Sequence, residues 1–454
     1  MELFKITGGT PLQGSVKAAG AKNAITKMLV ASLLSDKSVK FTNVPNILEV
    51  EVTVDLCKEV GAQITWDREK GALEIVTPKL IRTEVHQRFS GANRIPILML
   101  GALLGRTQEP ITVPTMGGCK IGKRPVDFHI QALEQMGAKI DSISREDGRA
   151  YVAQAKMLKG SIIHLPYPSV GATENAIFAG CRAKGTTLIK NAAVEPEIID
   201  LILFLQKLGV IIRVDINRSI YIQETKEFFE AEHRVLTDRI EAASLGMAAI
   251  ATKGCVFVEG AQQSHMISFL NKLRTIGGGF LVKENGIEFF YKGPLQGNLH
   301  LETDVHPGFL TDWLQPFVVL LTQSRGCSVI HETVYENRFG YAKTIKEMGA
   351  DIELFTQCLG GKSCRFASQN FDHSLIVKGP TPLYGKRIDI PDLRAGFAYV
   401  MAALIAPNTS EITGLRFLDR GYENLEGKLA SLGANIERVR ATKKLESLLT
   451  SNKL

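Results

Sequence analysis

The chain has 454 residues, 45% apolar and 22% charged, with 54 Lys and Arg against 47 Asp and Glu for a formal net charge of +7. That length exceeds what one hydrophobic core usually serves and predicts two domains of about 200 residues each, and the composition is ordinary for a soluble globular protein and excludes a disordered chain. The cations are spread along the sequence, with no aromatic-interleaved basic stripe, which argues against a nucleic-acid partner.

At the N-terminus, Met1 to Val16 reads as a strand and a turn. No cationic stretch leads into an apolar one there, so a cytoplasmic protein without membrane attachment is expected. Seven cysteines, an odd number without CxxC or Cys/His metal spacing, predict free thiols in a reducing compartment and no structural zinc.

Six times a helical run closes on nearly the same tetrapeptide: Val60-Gly61-Ala62-Gln63, Met136-Gly137-Ala138-Lys139, Leu208-Gly209-Val210-Ile211, Ile276-Gly277-Gly278-Gly279, Met348-Gly349-Ala350-Asp351 and Leu432-Gly433-Ala434-Asn435. A period of roughly 70 to 80 residues marks one supersecondary unit copied six times. Most copies continue into a strand, at Ile64, Ile140, Ile352 and Ile436. Each copy also holds a more apolar helix: Ala24 to Leu34, Ile95 to Gly105, Thr173 to Ala183, Arg239 to Thr252, Asp312 to Gln323 and Leu393 to Ala406. These runs are too short for a bilayer, which takes about 20 helical residues, so they are expected to be core helices of an α/β fold. The polar, Lys-rich stretch 441–454 lies outside the last copy.

The chemistry lies where the copies break their own pattern. Gly20-Ala21-Lys22-Asn23 precedes the first core helix, and a lysine at the positive end of a helix is disfavoured unless an anion such as phosphate sits there too. Gly117 to His129 reads GGCKIGKRPVDFH, with Lys120, Lys123 and Arg124 close to Cys119. Cations stabilise a thiolate and bring its pKa toward neutrality, where a thiol can both donate a proton and attack. A cysteine is more often a small buried hydrophobe, but a Gly-Gly-Cys loop among cations is a poor hydrophobic site. Pro307 to Trp313 places Asp312 at a core-helix start, where it reads either as a cap or as a proton acceptor. Asp392 reads as a cap, while Arg394 and Arg420 form a fork suited to carboxylate or phosphate, or else pair with acidic neighbours on the surface.

Taken in order, GGTPLQGSVKAAGAKNA, NVPNILEVEV, GGCKIGKRPVDFH, SVGATEN, PGFLTD, ETVYENRF, DLRAG and DRGYENLEGKLASLGANIER resemble the enolpyruvyl transferases, over Leu3 to Arg438. The likeness is to the branch whose acceptor is a nucleotide sugar. It implies an inside-out α/β barrel of two domains, each with three copies of a unit of two helices and four strands. One domain would span 22–232 and the other 1–21 with 233–440, with a ligand cleft between them. It also implies transfer of the enolpyruvyl group of phosphoenolpyruvate to the 3-hydroxyl of UDP-N-acetylglucosamine, with phosphate released and no metal or organic cofactor. This is the first committed step of peptidoglycan precursor synthesis.

By resemblance Cys119 is the proton donor and can form a covalent adduct with phosphoenolpyruvate, and Asp312 takes the hydroxyl proton. Lys22, Arg124 and Arg420 surround phosphoenolpyruvate with Arg394 beside them, and Asn23, Arg94, Ser169, Val170, Gly171 and Val334 line the nucleotide-sugar side. The sequence departs from the family pattern at Glu49, usually aspartate, at Val194, usually arginine, and in Ser90 to Pro96. Gln357 to Asn370, with Cys358 and Cys364, reads as an insertion or altered hairpin. The alternatives are the shikimate branch, in which no Gly-Gly-Cys loop is expected, a silent nucleotide-sugar binder, and an RNA-terminal phosphate cyclase, which would need a nucleotidylated histidine.

Overall fold

All six Gly-centred tetrapeptides end a helix by one geometry. In this computed structural model, which describes residues 2–91, 93–115, 125–361, 364–367 and 369–440, the helices Leu48–Glu59, Asp127–Gln135, Pro196–Lys207, Ile267–Thr275, Ala342–Glu347 and Leu425–Ser431 each stop two residues before the glycine. Gly61, Gly137, Gly209, Gly277, Gly349 and Gly433 have φ between 87° and 117°. Side chains with a Cβ rarely adopt that backbone. Around Gly61, its own N–H donates to the Lys58 carbonyl and the Ala62 N–H to the Cys57 carbonyl, which satisfies two of the last helical acceptors, and the same pair of bonds recurs at the other five. The residue after each glycine is therefore already turned toward a strand, such as Gln63–Asp67 or Asn435–Arg440.

A repeat thus runs core helix, strand, outer helix and antiparallel hairpin, preceded by a short strand that pairs in parallel. The core helices are Lys22–Ser32, Leu98–Leu103, Val170–Arg182, Arg239–Ala251, Thr311–Leu321 and Leu393–Ile405. Every residue of Arg239–Ala251 is buried, as expected of a helix apolar all round. Leu98–Leu103 is shorter than its apolar run because Pro96 lies at the entry, where three successive bonds, from Leu98, Met99 and Leu100, reach back only three residues.

Five of the six sheets have four strands; the second repeat has three, Ile111–Pro114, Lys139–Arg145 and Gly148–Gln154. Its leading strand is reduced to a single bridge between Glu84 and Thr112. A full four-stranded set in every repeat is thus corrected for the described residues.

Two compact units emerge, one running from Gly20 to Leu236 and the other comprising the chain up to Ala19 and from Thr237 onward. Each has three sheets and its own apolar core. Two leading strands explain the division. Gln13–Lys17 directly precedes the helix Lys22–Ser32, yet it pairs with Cys255–Glu259 of the fourth repeat. Ala231–Arg234 precedes Arg239–Ala251, yet it pairs with Val39–Thr42 of the first. The N-terminal strand Glu2–Thr7 meanwhile lies between Thr409–Thr413 and Asn435–Arg440, completing the last repeat. Among the described residues no helix is long and apolar enough to cross a membrane.

Candidate active site

Asp312 does not cap its helix. The cap position is Leu310, which has extended backbone and no side-chain cap bond, and Asp312 is the second helical residue. Its carboxylate is held by two guanidiniums from elsewhere in the Thr237-onward unit, with Arg338 Nη2 2.5 Å from Oδ1 and Arg394 Nε 3.4 Å from Oδ2. The side chains of Arg338 and Arg394 are 2% and 6% exposed and that of Asp312 is 21% exposed, so the acid faces outward from a buried cationic base. Burial works against the Arg394 charge, but Asp312, Tyr422 and Asp238 together outweigh it and raise the guanidinium pKa. Arg338 is raised in the same way, by Asp312 with Asp392 and Glu332. The alternative for Arg394, a pairing with an acidic neighbour on the surface, gives way to a buried pairing with Asp312.

Arg394 enters this cluster from a capped helix start, where Asp392 accepts from the N–H groups of Arg394 and Ala395 at 2.9 and 3.1 Å. Its guanidinium lies 5.9 Å from the centre of the Tyr422 ring, and the Tyr422 hydroxyl meets Ser244 Oγ at 3.1 Å. Burial pushes the Tyr422 phenol up to about 12, so it stays a neutral donor at physiological pH. Arg420 does not start a helix. It is the half-buried C-cap residue that directly follows the one-turn helix Arg416–Asp419, so of the two arginines of the fork only Arg394 enters a helix start.

Val334 follows the strand Gly326–His331 and donates its N–H to Glu332 Oε1 at 2.7 Å, while Glu332 Oε2 accepts from Thr311 Oγ1 at 2.7 Å. The buried Glu332 carboxyl, pushed up by desolvation, thereby ties Val334 to the residue next to Asp312. Arg338 and Glu332 both lie in or beside the motif ETVYENRF. Sequence reasoning missed them because a salt bridge to a residue 26 positions away has no periodic signature.

In the Gly20–Leu236 unit, Lys22 is the first residue of an uncapped helix with no acid in its first turn. Its ammonium lies 3.7 Å from Glu49, whose side chain is 8% exposed. This carboxylate eases the conflict with the helix dipole, and the helix start with Lys22 and half-buried Asn23 still favours an anion. Ser169 caps the helix Val170–Arg182, accepting from the Ala172 N–H at 3.4 Å. Gly171 fits a close approach, since a Cβ there would stand 2.9 Å from His129 Cε1. Ser169, Val170 and Gly171 are half-buried, as is Arg94, which follows buried Asn93 in a bend. Cys119, Lys120, Lys123 and Arg124 lie outside the described residues.

One turn beyond Gly171, buried Glu174 faces Lys27, Glu195 and Glu197; desolvation, opposed by Lys27 and reinforced by the two acids, pushes its carboxyl to about 7 from an ordinary 4.5. Folding therefore favours the protonated form. Its contribution is complete below pH 4.5 and is lost as pH rises through 7, roughly 2 to 4 kcal/mol in all. Glu174→Gln imitates the protonated acid at every pH. The variant is expected to melt several degrees above the parent at pH 8 and within about 2 °C of it at pH 4.5. Parallel curves of melting temperature against pH would remove Glu174 as the titrating group.

The sequence model of the EPSP synthase (3-phosphoshikimate 1-carboxyvinyltransferase) family matches residues 6–429. A protein of Protochlamydia amoebophila named UDP-N-acetylglucosamine 1-carboxyvinyltransferase is 68% identical over 99% of this chain and 97% of its own. A Chlamydia abortus protein of the same name is 57% identical over 96% and 98%. UDP-N-acetylglucosamine 1-carboxyvinyltransferase 1 of Staphylococcus aureus is 39% identical over 97% and 100%. In fold, the enolpyruvyl transferase NikO from Streptomyces tendae superposes with a TM-score of 0.86 at 21% identity, covering 97% of this chain and 99% of its own. EPSP synthase from Acinetobacter baumannii gives 0.74 at 16%, covering 97% and 100%.

Proposed function

Since the chain belongs to the UDP-N-acetylglucosamine 1-carboxyvinyltransferases of the enolpyruvyl transferase family, we propose that it moves the enolpyruvyl group of phosphoenolpyruvate onto the 3-hydroxyl of UDP-N-acetylglucosamine. The observation in the structure that supports this reading best is the Asp312 carboxylate, oriented by Arg338 and Arg394 and partly open to solvent.

In this mechanism the Cys119 thiol protonates the methylene carbon of phosphoenolpyruvate while the sugar 3-hydroxyl attacks C2 and gives its proton to Asp312. The product is a tetrahedral ketal. Loss of a methyl proton and cleavage of the C2–O bond to phosphorus then regenerate the alkene and release phosphate. Lys22, Arg124 and Arg420, with Arg394 beside them, carry the negative charge that grows on the leaving group. Each such contact contributes on the order of 1.5 to 3 kcal/mol, so several are needed. In a side reaction the Cys119 S–H adds across the C2=C3 bond of phosphoenolpyruvate, sulfur to C2 and a proton to the methylene carbon, and forms the covalent adduct. Asn23, Arg94, Ser169, Val170, Gly171 and Val334 hold the nucleotide sugar.

The reaction calls on no metal or organic cofactor, and its partners are small molecules. Both substrates are highly charged and are made inside cells, which assigns the enzyme to the cytoplasm and to the first committed step of peptidoglycan precursor synthesis.

Phosphate release from phosphoenolpyruvate is expected with UDP-N-acetylglucosamine and not with shikimate 3-phosphate. Release only with shikimate 3-phosphate would keep the chemistry and overturn the acceptor. Release with neither would make the chain a silent binder.

A further inference from the structure

The segment read as an insertion or altered hairpin, Gln357 to Asn370, brings together residues whose spacing in sequence argued against a metal. One donor atom from each of His331, Cys358, Cys364 and His373 lies within 4.8 Å of the other three. His331 ends the strand Gly326–His331, and His373 directly precedes Ser374–Gly379, its antiparallel neighbour. The two cysteines come from the segment between Asp351–Phe355 and that second strand. Spacing rules miss such a set because the sheet assembles it.

The surroundings orient the donors. His331 is fully buried, and its Nδ1 meets Glu302 Oε2 at 3.0 Å. That contact fixes the proton on Nδ1, and Nε2 has no hydrogen-bond partner among the described residues. His373, also fully buried, donates from Nδ1 to the Phe371 carbonyl at 2.7 Å, which directs Nε2 toward Cys358 Sγ, 3.2 Å away. The Phe366 N–H points at Cys364 Sγ at 3.4 Å. A carboxylate or carbonyl that holds the second nitrogen of an imidazole is the usual outer shell of a histidine zinc ligand, the part Glu302 and the Phe371 carbonyl play here.

We propose that His331, Cys358, Cys364 and His373 bind one Zn(II) as a closed tetrahedral site. Two thiols release their protons on binding, so the centre of one dication and two thiolates is neutral and suits a buried place. Donors at about 2.0 to 2.3 Å from the metal stand roughly 3.3 to 3.8 Å apart, a small contraction of the present cluster. Four protein ligands leave no open position, so the metal is structural, fastening the inserted segment to the sheet. From that segment Arg365 donates to the Val334 carbonyl, which carries the fastening toward the substrate-binding strand end.

The test is metal content of the full chain, made without a histidine tag and purified without chelator. About one zinc per chain is expected, falling below about one tenth in Cys358→Ser/Cys364→Ser and unchanged in Cys119→Ser. Should the double variant fold poorly, Co(II) added to stripped parent protein keeps the test open. Intense visible bands of tetrahedral cobalt with thiolate charge transfer support the site. The pale spectrum of octahedral cobalt, iron in place of zinc, zinc retained by the double variant, or a Cys358–Cys364 disulfide in freshly purified protein each overturns it.

Discussion

Replacing Cys119 by serine is expected to lower turnover by about 100 to 10,000 fold and to abolish covalent labelling by an epoxide phosphonate such as fosfomycin. The sequence places Lys120, Lys123 and Arg124 within five residues of the thiol. Such surroundings stabilise a thiolate, whereas a serine hydroxyl ionises far too weakly to respond to them. Other thiols offer no substitute of the same kind. Cys57 and Cys181 are buried, and desolvation raises both, Cys181 to about 12. Exposed Cys327 serves as an internal control, since peptide mapping distinguishes it from Cys119. Normal labelling of the serine variant would refute the assignment of the nucleophile.

The sixfold architecture was legible because one local requirement leaves a mark in sequence: a helix that ends in a left-handed residue takes glycine there, and a fixed period repeats the mark. Core helices were legible from continuous apolar runs, with every end within three residues of the observed one; Pro96 delays one start, while polar or small first-turn residues such as Lys22 and Gly171 hid the starts of two others. The division of the chain near residues 21 and 232 came only from the family resemblance, and the exchange of Gln13–Lys17 and Ala231–Arg234 between repeats emerged only in the structure, because strand partners are chosen by tertiary packing.

The site was legible in part, for the same reason. Asp392 acts through residues two and three positions away and was identified as a cap from sequence. Asp312 looks identical in sequence but owes its orientation to Arg338 and Arg394, which come from distant segments. The zinc-type cluster is the extreme case. Its donors sit on a strand, within a loop and beside a second strand, and only the pairing of Gly326–His331 with Ser374–Gly379 makes them neighbours. Wherever charge or softness is balanced across a sheet, local sequence carries the residue types but not their meeting.

That distinction shapes the expected behaviour of Asp312 variants. Asp312→Asn and Asp312→Ala are both expected to lose turnover by at least about 100 fold while UDP-N-acetylglucosamine binding stays within about tenfold, because the carboxylate takes a proton in the transition state and adds little to the ground state. They differ in stability. Alanine leaves the buried Arg338 and Arg394 without the acid that balances them, a loss of about 3 kcal/mol or less because Asp392 and Glu332 also face Arg338. Asparagine keeps an oxygen to accept from a guanidinium and should lose less. Calorimetric titration with the nucleotide sugar, phosphate release and melting temperature on the two variants separate the roles. Equal loss of turnover with unequal melting temperatures marks Asp312 as a proton acceptor that also balances buried charge. Full activity in the asparagine variant would remove it from the mechanism and leave it as a counter-ion alone.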